Sequence, residues 1–320
     1  TKDMCSLTRS MTGFLKTGMC VFFNLADHVL ASDLCPDVKK TSEIVRAYSN
    51  EFEVYCLETH TDEQGEISID YTGFREWVDR VTEGKGFDID KLLEYAQLYS
   101  EIRRNYKAVL DTRKNPNPPL NGKNSIWIQQ LALVEEPYKL LGSLRELHAE
   151  LIQNEERGVG YDPDGTQKRV MLISPRTMPP FAEIYRLIEA CDAIVVCEET
   201  DMGVTNIDYR IDDLIEMGWQ DKPDTGKIVK YITESLDKTS SSCMKAFDRM
   251  KILEKVKDFH VDAVIAFSFD KCPIMEEKTK KICQMLNIEG VDAMTLNAGY
   301  MEMYQNEYAF KDNIKKFLMT

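Results

Sequence analysis

The sequence predicts an α/β protein with two Rossmann-like (flavodoxin-like) parallel-sheet domains and a helical middle segment. Short apolar runs typical of buried strands alternate with longer helical patterns near both ends of the chain. Helical patterns without strands fill the middle, and the length of 320 residues favours two domains over one. Because strand–helix alternation needs crossover connections, the sheets are expected to be parallel and covered by helices.

The first half of the chain, residues 1–157, is predicted to be an α/β domain with a helical extension. Its apolar runs are short, as strands are, and its later helical patterns are interrupted only by the breaker-rich segment NPNPPLNGKN. The predicted elements are a helix over 6–18, a strand over 28–32, a helix over 37–49, a strand over 53–58, and helices over 71–84, 88–113 and 124–156.

The second half, residues 158–320, is predicted to be a C-terminal α/β domain. It begins at GVGYDPDG (158–165), whose glycines and turn formers are typical of a domain boundary. Its predicted elements are RVMLIS, a helix from Pro180, AIVVCE, helices to about 258, DAVIAFSF, a helix from Ile274, GVDAMTL and a final helix that ends near Leu318.

Charge and hydropathy exclude several classes of partner. The formal net charge of -14 opposes binding to nucleic-acid phosphates and to anionic membrane surfaces. No apolar run approaches the roughly 20 residues of a membrane-spanning helix, and the N-terminus lacks the apolar core of a signal peptide. We therefore expect a cytoplasmic protein with no nucleic-acid or membrane partner. The start at Thr1 instead of Met suggests that an N-terminal stretch has been lost.

The cysteine content is high for a cytosolic chain, in which disulfides are disfavoured: the sequence has nine cysteines. Four of them lie in or beside apolar patterns, where a small buried thiol is expected to be structural. These four are Cys56, Cys191, Cys197 and Cys283. The contexts of Cys20 and Cys243 are polar or turn-like and leave their roles open.

Two further cysteines share one local plan. In HVLASDLCPDVKK and in AVIAFSFDKCPIMEEKTKK, an apolar strand ends, polar residues follow, and Cys-Pro opens a helix. Cys35 and Cys272 are thus expected beyond the carboxyl ends of parallel strands, where open α/β sheets bind ligands. Pro36 and Pro273 suit a first helical turn, and the helix dipole is expected to lower the pKa of each thiol. This arrangement favours metal ligation, with helix capping or packing as the alternative.

Other cofactor sites find little support in the sequence. There is no CxxC pair or zinc-finger-like Cys/His cluster, and the chain has only four histidines. Neither a GxGxxG nor a GxxxxGK[ST] phosphate-binding loop is present. The loop SPRTMPPF follows RVMLIS at the place where a dinucleotide-binding domain carries its glycines, which disfavours a nicotinamide-dependent oxidoreductase.

The ordered set of motifs resembles the 2-hydroxyacyl-CoA dehydratase D-component family, which includes class I benzoyl-CoA reductase subunits and double-cubane cluster proteins. MCSLTRSMTGF resembles the first cysteine motif of that family, LASDLCPDVKKTSE the second and DAVIAFSFDKCPIMEE the third. The NPPLNG segment, SSCMKAFDRMKIL with Arg249 and the terminal helix are also similar. The resemblance therefore spans nearly the whole chain.

The resemblance implies one 4Fe-4S cluster per chain, or a cluster of higher nuclearity, on the thiolates of Cys5, Cys35 and Cys272. Three protein ligands on a cubane leave one iron for water or substrate. The implied protein is the iron-sulfur subunit of a radical 2-hydroxyacyl-CoA dehydratase, a hydro-lyase that eliminates water through a ketyl radical. Its implied partners are a homologous second subunit in a heterodimer, an ATP-dependent iron-sulfur activator protein and the acyl-CoA substrate.

The sequence departs from the family pattern near its end. Gly299 stands where relatives often carry an acidic residue before Tyr, and Pro36 with Asp37 behind it displaces the usual acidic residue after the second cysteine. Three alternatives therefore stay open: a subunit of an ATP-dependent benzoyl-CoA-type reductase, a non-catalytic electron-transfer protein of the same family, and a cofactor-free α/β protein. The acyl group is not indicated, and no catalytic residue is assigned.

The acyl-CoA thioester is expected to enter near the carboxyl ends of the strands that carry Cys35 and Cys272. The residues expected beside the open iron or the substrate follow a cysteine or lie where a predicted strand ends, and helix capping is the alternative role for each of them. They are Ser6, Asp37, Ser174, Arg176 and Glu198.

Overall fold

The protein has a mixed α/β fold with parallel sheets and many helices. The computed structural model describes residues 3–33, 35–48, 53–61, 67–69, 71–86, 88–175, 183–200, 247–299 and 301–319. The described residues up to Gln97 form one compact unit, and those from Leu98 onward form a second. The sequence-based boundary at 158–165 lies within the second unit in this division.

The first unit contains a parallel strand pair and a short antiparallel one. Strands β1 and β2 pair in parallel, from His28 opposite Glu53 to Ser32 opposite Leu57, and β3 pairs with β4 in antiparallel orientation. The elements are α1 (Ser6–Lys16), α2 (Val21–Leu25), β1 (His28–Ser32), α3 (Pro36–Tyr48), β2 (Glu53–Leu57), β3 (Thr59–Thr61), β4 (Ile67–Ile69) and α4 (Tyr71–Val81).

Helix α3 crosses over between β1 and β2 and packs against α1. The buried side chains of both helices are small. They are Thr41, Ser42 and Val45 on α3, and Ser6, Thr8 and Thr12 on α1. Small side chains let two helix axes approach closely. The close contact brings α1 alongside the helix that follows β1.

The second unit begins with a helical layer. The boundary between the two units, after Gln97, falls within its first helix. The layer comprises α5 (Ile89–Asp111), a 3₁₀ turn (Thr112–Lys114), α6 (Gly122–Val134) and α7 (Pro137–Glu156). A cluster of buried residues from Leu98 to Leu151, which includes Val109 and Leu140, forms the core of this layer. The layer corresponds to the predicted helical middle segment.

A four-stranded parallel sheet follows, with the strand order β6-β5-β7-β8. Every residue of β7 is buried, as expected for a strand covered on both faces. The strands are β5 (Lys168–Ser174), β6 (Ala193–Thr200), β7 (Ala263–Phe269) and β8 (Asp292–Ala298). The described helices among them are α8 (Glu183–Glu189), α9 (Arg249–Asp258), α10 (Pro273–Ile288), α11 (Glu302–Gln305) and α12 (Glu307–Leu318).

The predicted α/β class is confirmed, and the finer prediction of two Rossmann-like domains stays a prediction. The single helix predicted over 124–156 is wrong, because α6 ends at Val134 and α7 begins at Pro137. Proline lacks an N–H and restricts the residue before it, so it starts helices more readily than it continues them. The short elements α2, β3 and β4 were not predicted.

Among the described helices, none is long and apolar enough to cross a membrane.

Candidate functional site

Each of the three cysteines predicted as iron ligands directly precedes a helix. Cys5 precedes α1, Cys35 precedes α3 and Cys272 precedes α10. The carbonyl oxygen of each accepts a hydrogen bond, 3.0 Å long, from the N–H of the residue four positions later. These bonds place all three cysteines at the N-cap position, beside backbone N–H groups that have no partner within the helix.

A hydrogen bond joins the N-termini of α1 and α3. The backbone N–H of Cys5 donates to Oδ2 of Asp37, in the first turn of α3, over 2.6 Å. The two thiols lie near enough for the Cys5 thiol to raise the pKa of Cys35 electrostatically. The first unit therefore brings Cys5, Cys35 and Asp37 together, although Cys5 and Asp37 are 32 residues apart in the sequence.

The pKa of Cys35 is raised, which contradicts the predicted lowering. Burial of the thiol is the main cause, and the nearby Cys5 and Asp37 add to it. Hydrogen bonds to the thiol from the backbone N–H groups of Val38 and Asp37 oppose the shift. The prediction failed because it considered the local helix dipole and not the loss of solvent around the sulfur.

The surroundings of Cys5 are polar and buried. Its Sγ lies 3.3 Å from Oγ1 of Thr8, and Thr8 Oγ1 also donates to the Cys5 carbonyl oxygen over 3.1 Å. Ser6 is 2% exposed, and its Oγ accepts a 3.1 Å hydrogen bond from Nη2 of Arg9. Ser6 and Asp37, two of the predicted neighbours of the iron, thus both lie beside Cys5.

Cys272 lies in the second unit, just beyond the carboxyl end of β7. Lys271 has a φ of 62°, in the left-handed region, and the Cys272 N–H donates to the Phe269 carbonyl oxygen over 3.1 Å. A non-glycine residue in this region costs about 1–2 kcal/mol. This strained turn leads from the strand into α10 within three residues and holds Cys272 at the edge of the sheet.

The donor chemistry suits an iron-sulfur cluster. Cys5 and Cys35 place two thiols at neighbouring helix N-termini, and thiolates are the usual ligands of such clusters. Within the ranges that the structure describes, no group of three or more His, Cys, Asp or Glu side chains is placed to hold a metal ion. Convergence of Cys272 on the other two cysteines stays a prediction.

Two of the remaining predicted residues lie on strands of the four-stranded sheet, and Arg176 lies outside the described residues. Ser174 ends β5, is 3% exposed, and its Oγ has no hydrogen-bond partner among the residues described. Glu198 on β6 is fully buried and forms a bidentate ion pair with Arg113, with both N–O distances at 2.7 Å. Ser125 Oγ donates to the same carboxylate over 2.8 Å.

Sequence reasoning did not identify Arg113 or Ser125. Arg113 is completely buried in the 3₁₀ turn, and its carbonyl oxygen accepts a 2.7 Å hydrogen bond from Nη2 of Arg169. Its sequence context, DTRKNP, is polar and resembles an exposed helix end. No signal in the sequence distinguishes Arg113 from its exposed neighbours.

The cysteines predicted to be structural are mostly buried. Burial raises the pKa of Cys197 to about 12 and that of Cys283 to about 11, and it also raises the pKa of Cys191. The prediction of burial is wrong for Cys56, which is only half-buried. Cys20 is also half-buried, and Cys243 lies outside the described residues. The raised pKa values match inert thiols at the three buried positions.

A surface cavity of about 780 Å³ lies at the turn between α4 and α5. Its lining runs from Val81 to Lys91 and includes none of the predicted site residues. The cavity therefore adds nothing to the candidate cluster site.

Comparison with known proteins identifies the family. The family described as 2-hydroxyglutaryl-CoA dehydratase, D-component, matches residues 1–318. A search of curated proteins found no match. Because the match covers all three predicted cluster cysteines and nearly the entire sequence, the chain belongs to the 2-hydroxyglutaryl-CoA dehydratase D-component family.

Proposed function

We propose that this chain is the iron-sulfur subunit of a radical 2-hydroxyacyl-CoA dehydratase, with one 4Fe-4S cluster on Cys5, Cys35 and Cys272. Membership of the dehydratase family supports the reaction class. The observation that supports the cluster most is the pair of thiols at the N-termini of α1 and α3, joined by the bond from Cys5 to Asp37. Cys272 occupies the same N-cap position in the second unit.

The chain's own residues would stabilise a bound anionic cluster in two ways. Helix N-termini carry partial positive charge, which would partly offset the burial that raises the pKa of Cys35. The Asp37 carboxylate accepts a hydrogen bond from the backbone N–H of Cys5 and so holds the start of α1 beside the start of α3. When bound, a cubane with three thiolate ligands supplies one open iron and one-electron chemistry.

The proposed reaction removes water from a 2-hydroxyacyl-CoA to give an enoyl-CoA through a ketyl radical on the substrate thioester. The name of the family as a D-component implies a partner component of the dehydratase. We propose that this partner is a homologous subunit in a heterodimer and that an ATP-dependent iron-sulfur activator supplies the electron. Burial around Ser6 and Cys5 would keep water away from reactive groups at this edge of the first unit.

Iron and sulfide analysis of the anaerobically purified chain tests the proposed cluster. We expect the variants Cys5→Ala, Cys35→Ala and Cys272→Ala each to lose most of the bound iron. The matched controls are Cys197→Ala and Cys283→Ala, which remove buried thiols and should leave the iron content unchanged. Full iron content in any of the first three variants would remove that cysteine from the ligand set.

Turnover of the anaerobic chain with its partner, activator and ATP tests the reaction itself. We expect formation of an enoyl-CoA from a 2-hydroxyacyl-CoA, and no turnover when the activator is omitted. Reduction of an aromatic acyl-CoA without dehydration would reject the hydro-lyase assignment. Full activity of a verified monomer would reject the partner subunit.

A further inference from the structure

The outward face of α6 is apolar and exposed. Trp127, Leu131 and Val134 are 54%, 39% and 65% exposed. Their spacing of four and then three residues places them on one side of the helix, opposite the side on which Ser125 and Gln129 are buried. A helix at the surface of a protein normally carries charged or polar side chains on its solvent side. A contiguous apolar stripe in that place is typical of an interaction surface.

The other sides of α6 are covered by its own chain. Gly122 lies so close to Val195 that an added Cβ would clash with it. Ile128 and Ala132 pack against the core of the helical layer. The stripe of Trp127, Leu131 and Val134 is therefore the part of α6 that is open to another molecule.

The charges at the two ends of α6 are unfavourably placed within a single chain. Lys123 is the one charged residue of the helix sequence and lies in its first turn, and Glu135 and Glu136 follow its last residue. A helix carries partial positive charge at its N-terminus and partial negative charge at its C-terminus, so each of these charges lies beside a dipole end of its own sign. The Lys123 ammonium forms no ion pair with any residue that the structure describes.

Antiparallel packing of α6 against the same helix of a second copy removes both mismatches. A two-fold axis at the level of Gln129 places Lys123 beside Glu135 of the second copy. The same axis places Trp127 beside Leu131 of the second copy. Each charge then also lies at the favourable dipole end of the opposite helix. Because the axis makes every contact reciprocal, each pairing occurs twice.

The charge pattern favours a second copy as the occupant of this face. The Glu135 carboxylate already pairs with Lys139 over 3.0 Å in an exposed contact, but a carboxylate has lone pairs for a second cation. The chain has a net charge of -14, so most surfaces of two copies repel one another. The outward face of α6 has no acidic residue along its length and has complementary charges at its two ends.

We propose that the outward face of α6 pairs two copies of this chain in an antiparallel, two-fold contact, with Trp127 and Leu131 at its centre and Lys123 and Glu135 at its ends. The contact goes beyond the proposed function and does not depend on it. In the presence of the homologous subunit, it would join two heterodimers through their iron-sulfur chains.

Sedimentation equilibrium of the full-length chain under anaerobic conditions tests the proposed contact. We expect a reversible monomer–dimer equilibrium between about 1 and 100 µM, the range that brackets micromolar affinity. Leu131→Glu should weaken dimerisation at least about tenfold, because it places a carboxylate in the apolar centre of the contact. The matched control is Leu133→Glu. Leu133 is similarly exposed, at 45%, but lies about 200° around the helix from Leu131, so this variant should dimerise as the parent does.

Charge exchange tests the antiparallel register. We expect Lys123→Glu and Glu135→Lys each to weaken dimerisation, because each places two like charges together. The double variant Lys123→Glu, Glu135→Lys should restore it, because both pairs form again with the charges exchanged. Neither single variant should lower the melting temperature of the monomer, since each new charge suits the dipole end of its own helix.

Three outcomes would overturn the proposal. The first is a parent chain that stays monomeric over the whole range; if Leu131→Glu then blocks binding of the homologous subunit, the face belongs to that subunit. The second is a dimer that Leu131→Glu does not weaken, or that Leu133→Glu weakens equally. The third is a double charge variant that dimerises no better than the single ones. The iron content of the variants should equal that of the parent, so the proposed function is tested separately.

Discussion

The buried ion pair between Arg113 and Glu198 allows a quantitative test of what stabilises the second unit. Both side chains have 0% exposure, and two 2.7 Å bonds join them. The variant Arg113→Met removes the guanidinium and leaves the Glu198 carboxylate with Ser125 as its remaining described hydrogen-bond donor. A buried charge that loses its partner is costly, whereas removal of both charges is far less so.

We expect Arg113→Met to lower the free energy of unfolding by about 3–5 kcal/mol. The double variant Arg113→Met, Glu198→Leu should recover most of this loss, because it leaves no uncompensated charge. Arg145→Met is the matched control, since Arg145 pairs with Glu101 at the surface, where the two side chains are 57% and 44% exposed. An exposed pair contributes less than about 1 kcal/mol.

The assay is urea unfolding followed by circular dichroism, with the free energies compared at similar m-values. We expect a large loss of stability in the single variant, recovery in the double variant and a small effect in the control. If Arg113→Met costs no more than Arg145→Met, or if the double variant is as unstable as the single one, burial does not set the strength of this pair.

Three further predictions follow from burial and backbone geometry. Gly122→Ala should lower the free energy of unfolding by about 1–3 kcal/mol in urea denaturation, because its Cβ would clash with Val195, whereas Gly142→Ala has open space and should raise it by up to about 1 kcal/mol. Burial raises the pKa of Glu189 to about 7, so its contribution to stability is fully present below about pH 4.5 and is lost as the pH rises through 7. Melting curves of Glu189→Gln should show a weaker pH dependence across this window, and an unchanged profile would contradict the assigned pKa. Cys197, whose pKa is raised to about 12, should resist iodoacetamide in the folded protein and react after denaturation, as mass spectrometry can measure.

Elements with strong local signals were predictable from the sequence. The apolar run HVLAS coincides with β1, and the Cys-Pro pairs mark the starts of α3 and α10. The proline in EEPYKL indicates the break between α6 and α7 at Pro137, but the helical periodicity on either side obscured it. The strands β3 and β4 have three residues each, too few for an alternating pattern to distinguish them from a loop.

The candidate site was predictable only in part. The N-cap positions of Cys5, Cys35 and Cys272 follow from local rules, since strand ends, proline and helix starts are encoded within a few residues. The pKa of Cys35 was not predictable, because it depends on how much solvent the folded unit excludes from the sulfur. The bond from Cys5 to Asp37 likewise joins segments that no local rule connects.

The sequence by itself determined the α/β class, the family resemblance and the place of each candidate cysteine at the start of a helix. These features depend on periodicity, turn residues and caps, which act over one or two turns of chain. Only the tertiary structure decided that Arg113 pairs with Glu198, 85 residues away, and that Gln129 is buried with no hydrogen-bond partner among the residues that the structure describes. Burial and pairing depend on which distant segments exclude water from a side chain, and that information is not present in the residues around it.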